Sequence, residues 1–228
     1  MAYSVDRTAT TDGLLVNYKE IMSKHSSPVV ILTASYVDEN LTRIYRAVTL
    51  SSLTSLSIDP EPLLTFNLRL PSSTSKALHS SGRFSINFLS SNPLAASLAE
   101  CFSFGTYVPV DRQASTPTKS SENLSRHQVD HEMILRSFPL SDEPFKTSIL
   151  NNSVTKYDST RIAYARMDCV AKSVFAVEDN EIWVGKVERT FHSDPDSDAI
   201  IYSGRKFRSL GQQIERTSYF YEGVEHKT

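Results

Sequence analysis

Beyond Pro28 the chain breaks into six stretches rich in β-branched and aromatic residues, at 29–36, 45–50, 63–68, 83–89, 161–177 and 181–191. Residues of this kind suit the pleated, half-buried surface of a sheet, so six strands is a minimum and the chain is expected to be mainly β. The stretch 161–177 alternates for part of its length but is too long for one flat strand. A bend or bulge is expected there, as where a strand turns a barrel corner. Glu178, Asp179, Asn180 and Glu181 read as the hairpin turn that follows it. Helices flank the strands. Apolar side chains at 14, 15, 18, 21 and 22 have amphipathic spacing ahead of Pro28. Residues 72–79 open with hydroxyl caps and end before Gly82, and 92–99 carry Asn92 as cap and Pro93 at the first helical position. No internal repeat interrupts this plan.

Several function classes are excluded early. The seven glycines are too scattered for a Gly-x-Gly-x-x-Gly turn or a Gly-rich phosphate loop, which disfavours a dinucleotide-binding Rossmann fold and a Walker-type nucleotidase. A net charge of −2 supplies no field to gather nucleic acid or anionic lipid. Cys101 and Cys169 are too few and too isolated for a zinc ribbon, a redox pair or a disulfide scaffold, and suit a reducing compartment. Residues 1–12 lack the apolar core of a signal peptide, and no aliphatic run approaches the roughly 20 residues needed to span a bilayer. A soluble, cytoplasmic protein is expected, with no nucleic-acid or membrane partner. His127 and His131 are four apart but have no third ligand at metal spacing, so no metal site is assigned. Ser209 lacks the glycine of a hydrolase elbow, and Asp142 with Glu143 reads as surface.

Two clusters could carry chemistry. In Arg69-Leu70-Pro71-Ser72-Ser73-Thr74-Ser75-Lys76 a strand gives way to a helix, so free backbone N–H groups, hydroxyls and two cations meet where the helix dipole favours an anion. The plain alternative is ordinary capping beside a solvated lysine. In Thr49-Leu50-Ser51-Ser52-Leu53-Thr54-Ser55-Leu56-Ser57 hydroxyls recur within and after an apolar strand. Burying them is costly without partners, so the segment lies at an edge, folds back on its own backbone in turns, or meets a polar planar ligand.

Taken in order, Pro28-Val29-Val30-Ile31-Leu32-Thr33, the hydroxyl cluster with Ile58-Asp59-Pro60, then Pro71-Ser72-Ser73-Thr74 and 81–89 resemble the flavin reductase-like family of FMN-binding split barrels. The resemblance runs over 18–104 and resumes more weakly over 160–212, through Trp183-Val184-Gly185-Lys186-Val187 and 202–211. It implies a six-stranded antiparallel split β-barrel with flanking helices, in one domain over 1–228. The core would span about 18–212, with a polar insertion at 105–125 and an unassigned tail at 213–228. It further implies a homodimer that binds FMN, or FAD, and moves a hydride to it from NADH or NADPH, serving a small-molecule substrate or a partner oxygenase. Carried over position by position, Thr49, Ser51, Ser52 and Ser55 would border the isoalloxazine. Ser72, Ser73, Thr74 and Lys76 would hold the phosphate, and Arg46, Leu50, Asn67 and Arg208 complete the implied flavin contacts. No catalytic side chain is assigned, because the flavin itself is the electron sink and the protein's task is to position and tune it.

The chain departs from the family at two points. Glu178-Asp179-Asn180 stands where many relatives carry Gly-Asp-His, and Arg46 is followed by Ala47 where relatives often have glycine. These departures motivate an alternative, a flavin-binding split barrel recruited for a specialised transformation without nicotinamide turnover. A third class, an interaction domain whose serine clusters are only turns, is separated from both by flavin binding.

Overall fold

Val29, Val30, Ile31 and Leu32 are all buried because the strand they open is covered on both faces. The computed structural model describes residues 11–37, 39–41, 43–103, 162–192 and 196–213. In chain order these form α1 (Thr11–Lys24), β1 (Ser27–Pro28), β2 (Val30–Val37), β3 (Arg43–Leu50), β4 (Thr54–Ser57), β5 (Leu63–Arg69) and α2 (Ser73–Ser81). There follow β6 (Arg83–Leu89), α3 (Pro93–Ser103), β7 (Ala163–Val177), β8 (Asn180–His192), β9 (Ile201–Ser203) and β10 (Lys206–Arg208). The main sheet is antiparallel in the order β3-β2-β6-β7-β8-β5-β4, and β1-β9-β10 make a small second sheet.

The order of strands dictates closure. β3 and β4 are the two ends of the seven-stranded ladder, yet only residues 51–53 join them. Six steps of about 4.8 Å would part the edges of a flat sheet by about 29 Å, whereas the link from Leu50 to Thr54 reaches at most about 14 Å. The sheet therefore curls into a barrel, split at the β3–β4 seam where no ladder forms among the described residues. Register shifts near Asp168/Cys169 and Ala171/Ser173 bend the long β7, as its length required.

Alternation then sorts the side chains. Val30, Leu32 and Ala34 of β2 point inward with Leu50, Leu64, Phe66, Phe84, Ile86 and Trp183, and α2 contributes Ala77 and Leu78 to the same interior. Val29, Ile31 and Leu89 face outward, beneath Leu98, Ala99 and Phe102 of α3. Gly185 lies on the inward face, where an added Cβ would stand 2.5 Å from Phe84 Cζ and 3.2 Å from Leu64 Cδ1. Gly185→Ala is expected to cost about 1–3 kcal/mol by overpacking. A urea denaturation curve checks this; an unmoved midpoint would mean that the Phe84 ring has room to yield.

The chain differs from the sequence expectation in four places. The main sheet holds seven strands, the additional one being β4, which emerges from the hydroxyl cluster as an edge strand. The turn after β7 is confined to Glu178 and Asp179, with Glu178 at φ 52°, so Asn180 and Glu181 already belong to β8. The leading helix forms, but Leu14, Val16, Tyr18 and Ile21 remain exposed. It is held at its C-terminal end instead, where Gly204 N–H donates to Ser23 O at 2.7 Å. Part of the closing segment, unassigned to strands by its pattern, forms the short β9–β10 hairpin. The polar stretch 105–125, His127, His131, Asp142, Glu143 and the tail from 214 lie outside the described residues.

Candidate functional site

The seam opens onto a cleft of about 510 Å³, within the size range of small-molecule sites. Three segments line most of it: the end of β3 (Val48, Thr49, Leu50), the end of β5 (Asn67, Leu68, Arg69) and the run from Leu70 to Thr74. Ser103, at the end of α3, completes the wall.

The run Ser72 to Thr74 is the start of α2. Ser72 is the N-cap, with extended backbone, and its Oγ accepts from Ser75 N–H at 3.1 Å. Lys76 N–H donates to Ser72 O at 3.2 Å. The N–H groups of Ser73 and Thr74 thus stand at the helix mouth with no acceptor among the described residues, as a first turn dictates. No acidic residue occupies that first turn. At the other end Gly82, at φ 65°, closes the helix by donating to Leu78 O at 2.8 Å. Unneutralised helix dipole, two outward N–H groups and adjacent hydroxyls make one end of the cleft an anion cradle.

Arg69 extends this cradle. Its Nε lies 3.0 Å from Asp179 Oδ2, and the neighbouring Leu70 N–H donates to Asp179 O at 2.7 Å. The β7–β8 turn is thereby pinned to the cleft's rim. Arg69 shares the exposed face of β5 with Asn67, opposite the inward Leu68, and its place beside the β7–β8 turn follows from the pairing of β5 with β8.

Of the residues expected at the site, Thr49, Leu50, Asn67, Ser72, Ser73 and Thr74 come together around the cleft. Arg46, Ser51, Ser52, Ser55, Lys76 and Arg208 are not among its lining residues. Arg46 Nη1 donates to Tyr45 O at 2.8 Å, and its guanidinium lies 6.0 Å from the Tyr36 ring centroid. Ser51, Ser55 and Lys76 are exposed. Arg208 Nε donates to Ser203 O at 3.1 Å within the β9–β10 hairpin.

The hydroxyl cluster resolves into separate tasks. Thr49 Oγ1 donates to Ala99 O at 2.6 Å, tying β3 to α3. Ser52 Oγ accepts from Asn67 N–H at 3.0 Å, supplying the bond that β4 is too short to make and stitching the seam to β5. Ser57 Oγ donates to Asp59 O at 3.1 Å in a turn, so bonds between elements and within a turn account for three hydroxyls that looked free in the sequence.

A further group under α2 escaped the sequence reading. Glu181 Oε2 accepts from Ser75 Oγ at 2.5 Å and from Trp183 Nε1 at 3.1 Å, while Oε1 lies 3.0 Å from His79 Nε2. Burial disfavours its charge, but the bonds from Ser75, His79 and Trp183 outweigh that and hold the carboxyl below its ordinary range. The usable signal was parity: Glu181 shares the inward face of β8 with Trp183, and an acid on such a face needs partners.

Neither thiol belongs to the site. Burial, helped by Asp168 and Glu188, pushes Cys169 up to about 12, and burial with Glu100 raises Cys101. Native Cys169 is expected to resist alkylation at pH 8 and to react once denaturant opens the barrel, as peptide mass spectrometry would record. Among the described residues no three His, Cys, Asp or Glu side chains are grouped as a metal would need, and no helix is long and apolar enough to cross a membrane.

Residues 22–211 match the model of the flavin reductase like domain. The chain belongs to the flavin reductase-like family. Its fold is shared with the styrene monooxygenase flavin reductase SMOB from Pseudomonas putida S12, at 16% identity and TM-score 0.55, over 87% of this chain and 99% of that one. It is shared equally with the Streptomyces globisporus C-1027 NADH:FAD oxidoreductase SgcE6 bound to NAD and FAD fragments, at 16% identity and TM-score 0.56, over 94% and 100%. The flavin reductase HpaC in complex with NADP+ aligns at 18% identity and TM-score 0.54, over 86% and 97%.

Proposed function

We propose that the protein is an NAD(P)H-dependent flavin reductase that seats the phosphate of FMN at the start of α2 and lays the ring system along Thr49, Leu50 and Asn67. The observation that carries this is the pairing, in one cleft of a flavin reductase-like chain, of an acid-free helix mouth with a wall mixing apolar and amide groups. The residues present fit the group. Ser73 and Thr74 offer N–H donors and Arg69 a nearby cation to the phosphate, while Val48 and Pro71 offer apolar surface and Asn67 a polar edge to the ring.

A flavin held by these residues would supply the electron sink for a hydride from NADH or NADPH. The chain's own residues bind, orient and exclude water. Asp179 holds the turn at the rim, and Ser52 holds β5 against the seam. FAD shares the phosphate and the ring of FMN, so the same cradle accepts either. NADH and NADPH both remain donors of the required chemistry. The reading extends to a cytoplasmic homodimer that hands reduced flavin to a partner oxygenase, as the name of SMOB, the styrene monooxygenase flavin reductase, also suggests for that protein.

Purified protein mixed with FMN, without oxygen, tests the proposal. Absorbance at about 450 nm is expected to bleach on adding NADH or NADPH. Flavin binding without bleaching by either nucleotide would favour a non-nicotinamide transformation, consistent with Asn180, the first residue of β8, at the position where the family resemblance places a histidine in many relatives. Failure to bind FMN at all would remove the assignment.

A further inference from the structure

Glu181 occupies a junction between the two halves of the cleft. Its backbone pairs with Leu68 of the β5 wall, while its carboxylate reaches across to α2. On the helix it meets Ser75 and His79, residues one turn apart, so the helix is held at two points along one side and cannot pivot about either. The carboxylate is largely withdrawn from solvent, with a side-chain exposure of 12%. His79 is further steadied by its ring, edge-on to Trp183 at 4.8 Å between centroids.

We infer that Glu181 is a positioning residue that aims the mouth of α2 into the cleft, and so sets how strongly the protein prefers a phosphorylated flavin over one without phosphate. The inference rests on the flavin reading above. Packing of Ala77 and Leu78 buries the helix, but apolar contacts are non-directional and leave it free to rotate or slide. The Glu181 bonds are directional and charge-assisted, and the Ser75 tether lies within two residues of Ser73 and Thr74 while the His79 tether fixes the last turn, so together they set where the mouth points.

The test compares the dissociation constants of FMN and riboflavin, by quenching of flavin fluorescence, in the full chain and its variants. Wild type is expected to prefer FMN. In Glu181→Ala that preference should shrink about tenfold, and in Ser75→Ala or His79→Ala, each removing one tether, about threefold. Riboflavin affinity should stay nearly constant in all three. Glu181→Gln, which keeps the shape and one acceptor, should recover part of the preference. Trp183→Phe removes a donor from the same carboxylate while keeping an aromatic ring beside His79 and both tethers from Glu181 to α2; it should lower thermal stability and leave the preference intact.

Wild type without a preference for FMN would overturn the phosphate site itself. A wild-type preference that survives Glu181→Ala, Ser75→Ala and His79→Ala would overturn only the positioning role. Should Glu181→Ala fail to fold, the Ser75 and His79 variants decide the matter alone. Loss of preference in Trp183→Phe equal to theirs would also count against it, since general loosening would then suffice.

Discussion

Asp168→Ala is expected to lower the unfolding free energy by about 3–5 kcal/mol, and the melting temperature by roughly 6–20 °C. Asp168 is fully buried and binds two arginines, with Arg166 Nε 3.0 Å from Oδ1 and Arg189 Nη2 2.9 Å from Oδ2. Ser85 Oγ donates to Oδ1 at 2.8 Å. The two arginines differ in what they can do when the acid is gone. Arg189 is 41% exposed and can turn to water, whereas Arg166, at 9%, is wedged beneath the Phe191 ring at 4.4 Å. Burial already pulls Arg166 below its ordinary range against the opposing influence of Asp168, so the acid compensates only part of the desolvation. Removing it strands the charge. A paired change, Arg166→Met with Asp168→Leu, should recover much of the loss, because an apolar pair avoids the desolvation altogether. Equal destabilisation in the single and paired variants would mean that shape, not charge, sets the cost.

Ser73→Glu is expected to weaken FMN binding by at least ~100-fold while leaving the fold intact or slightly firmer. The two effects have opposite signs for one reason. A carboxylate in the first turn favours α2 by about 0.3–1 kcal/mol through the dipole. The same carboxylate about 5 Å from a phosphate repels it by about 3 kcal/mol per unit charge at an effective dielectric constant near 20. Isothermal titration with FMN, beside a thermal melt of the free protein, reads both. Weak binding accompanied by a lowered melting temperature would point to unfolding, and unchanged affinity would move the phosphate away from α2.

Long runs of β-branched residues were legible as strands because their burial on two faces leaves no room for polar interruption, as Val29 to Leu32 illustrate. The helix starts at Ser72 and Asn92 were equally legible, since capping is a local interaction: Asn92 Oδ1 accepts from Ala95 N–H at 2.9 Å. Barrel closure was not a matter of local pattern. It depends on pairings such as Arg69 with Asn180, which bring together residues more than a hundred positions apart. The anion cradle could be anticipated from the strand-to-helix sequence, whereas Thr49 and Ser52 could not be told from ligand contacts until their partners, Ala99 and Asn67, were placed. Glu181 looked like a turn residue for the same reason: its partners Ser75 and His79 come from a distant segment.

The hydroxyl chemistry that drew attention in the sequence thus divides between building the seam and lining it. Ser52 and Thr49 hold the walls together, and Ser72 shapes the helix mouth. What remains open to a ligand is mostly backbone N–H, apolar side chain and amide. Such a surface orients a flavin rather than reacting with it, in keeping with a family in which the flavin carries the electrons.

The most direct check is a crystal structure of the protein with FMN bound. The phosphate is expected within about 3 Å of the Ser73 and Thr74 N–H groups, with the ring system against Leu50 and Asn67. Density for the phosphate at any other surface, with the start of α2 facing only solvent, would contradict the assignment.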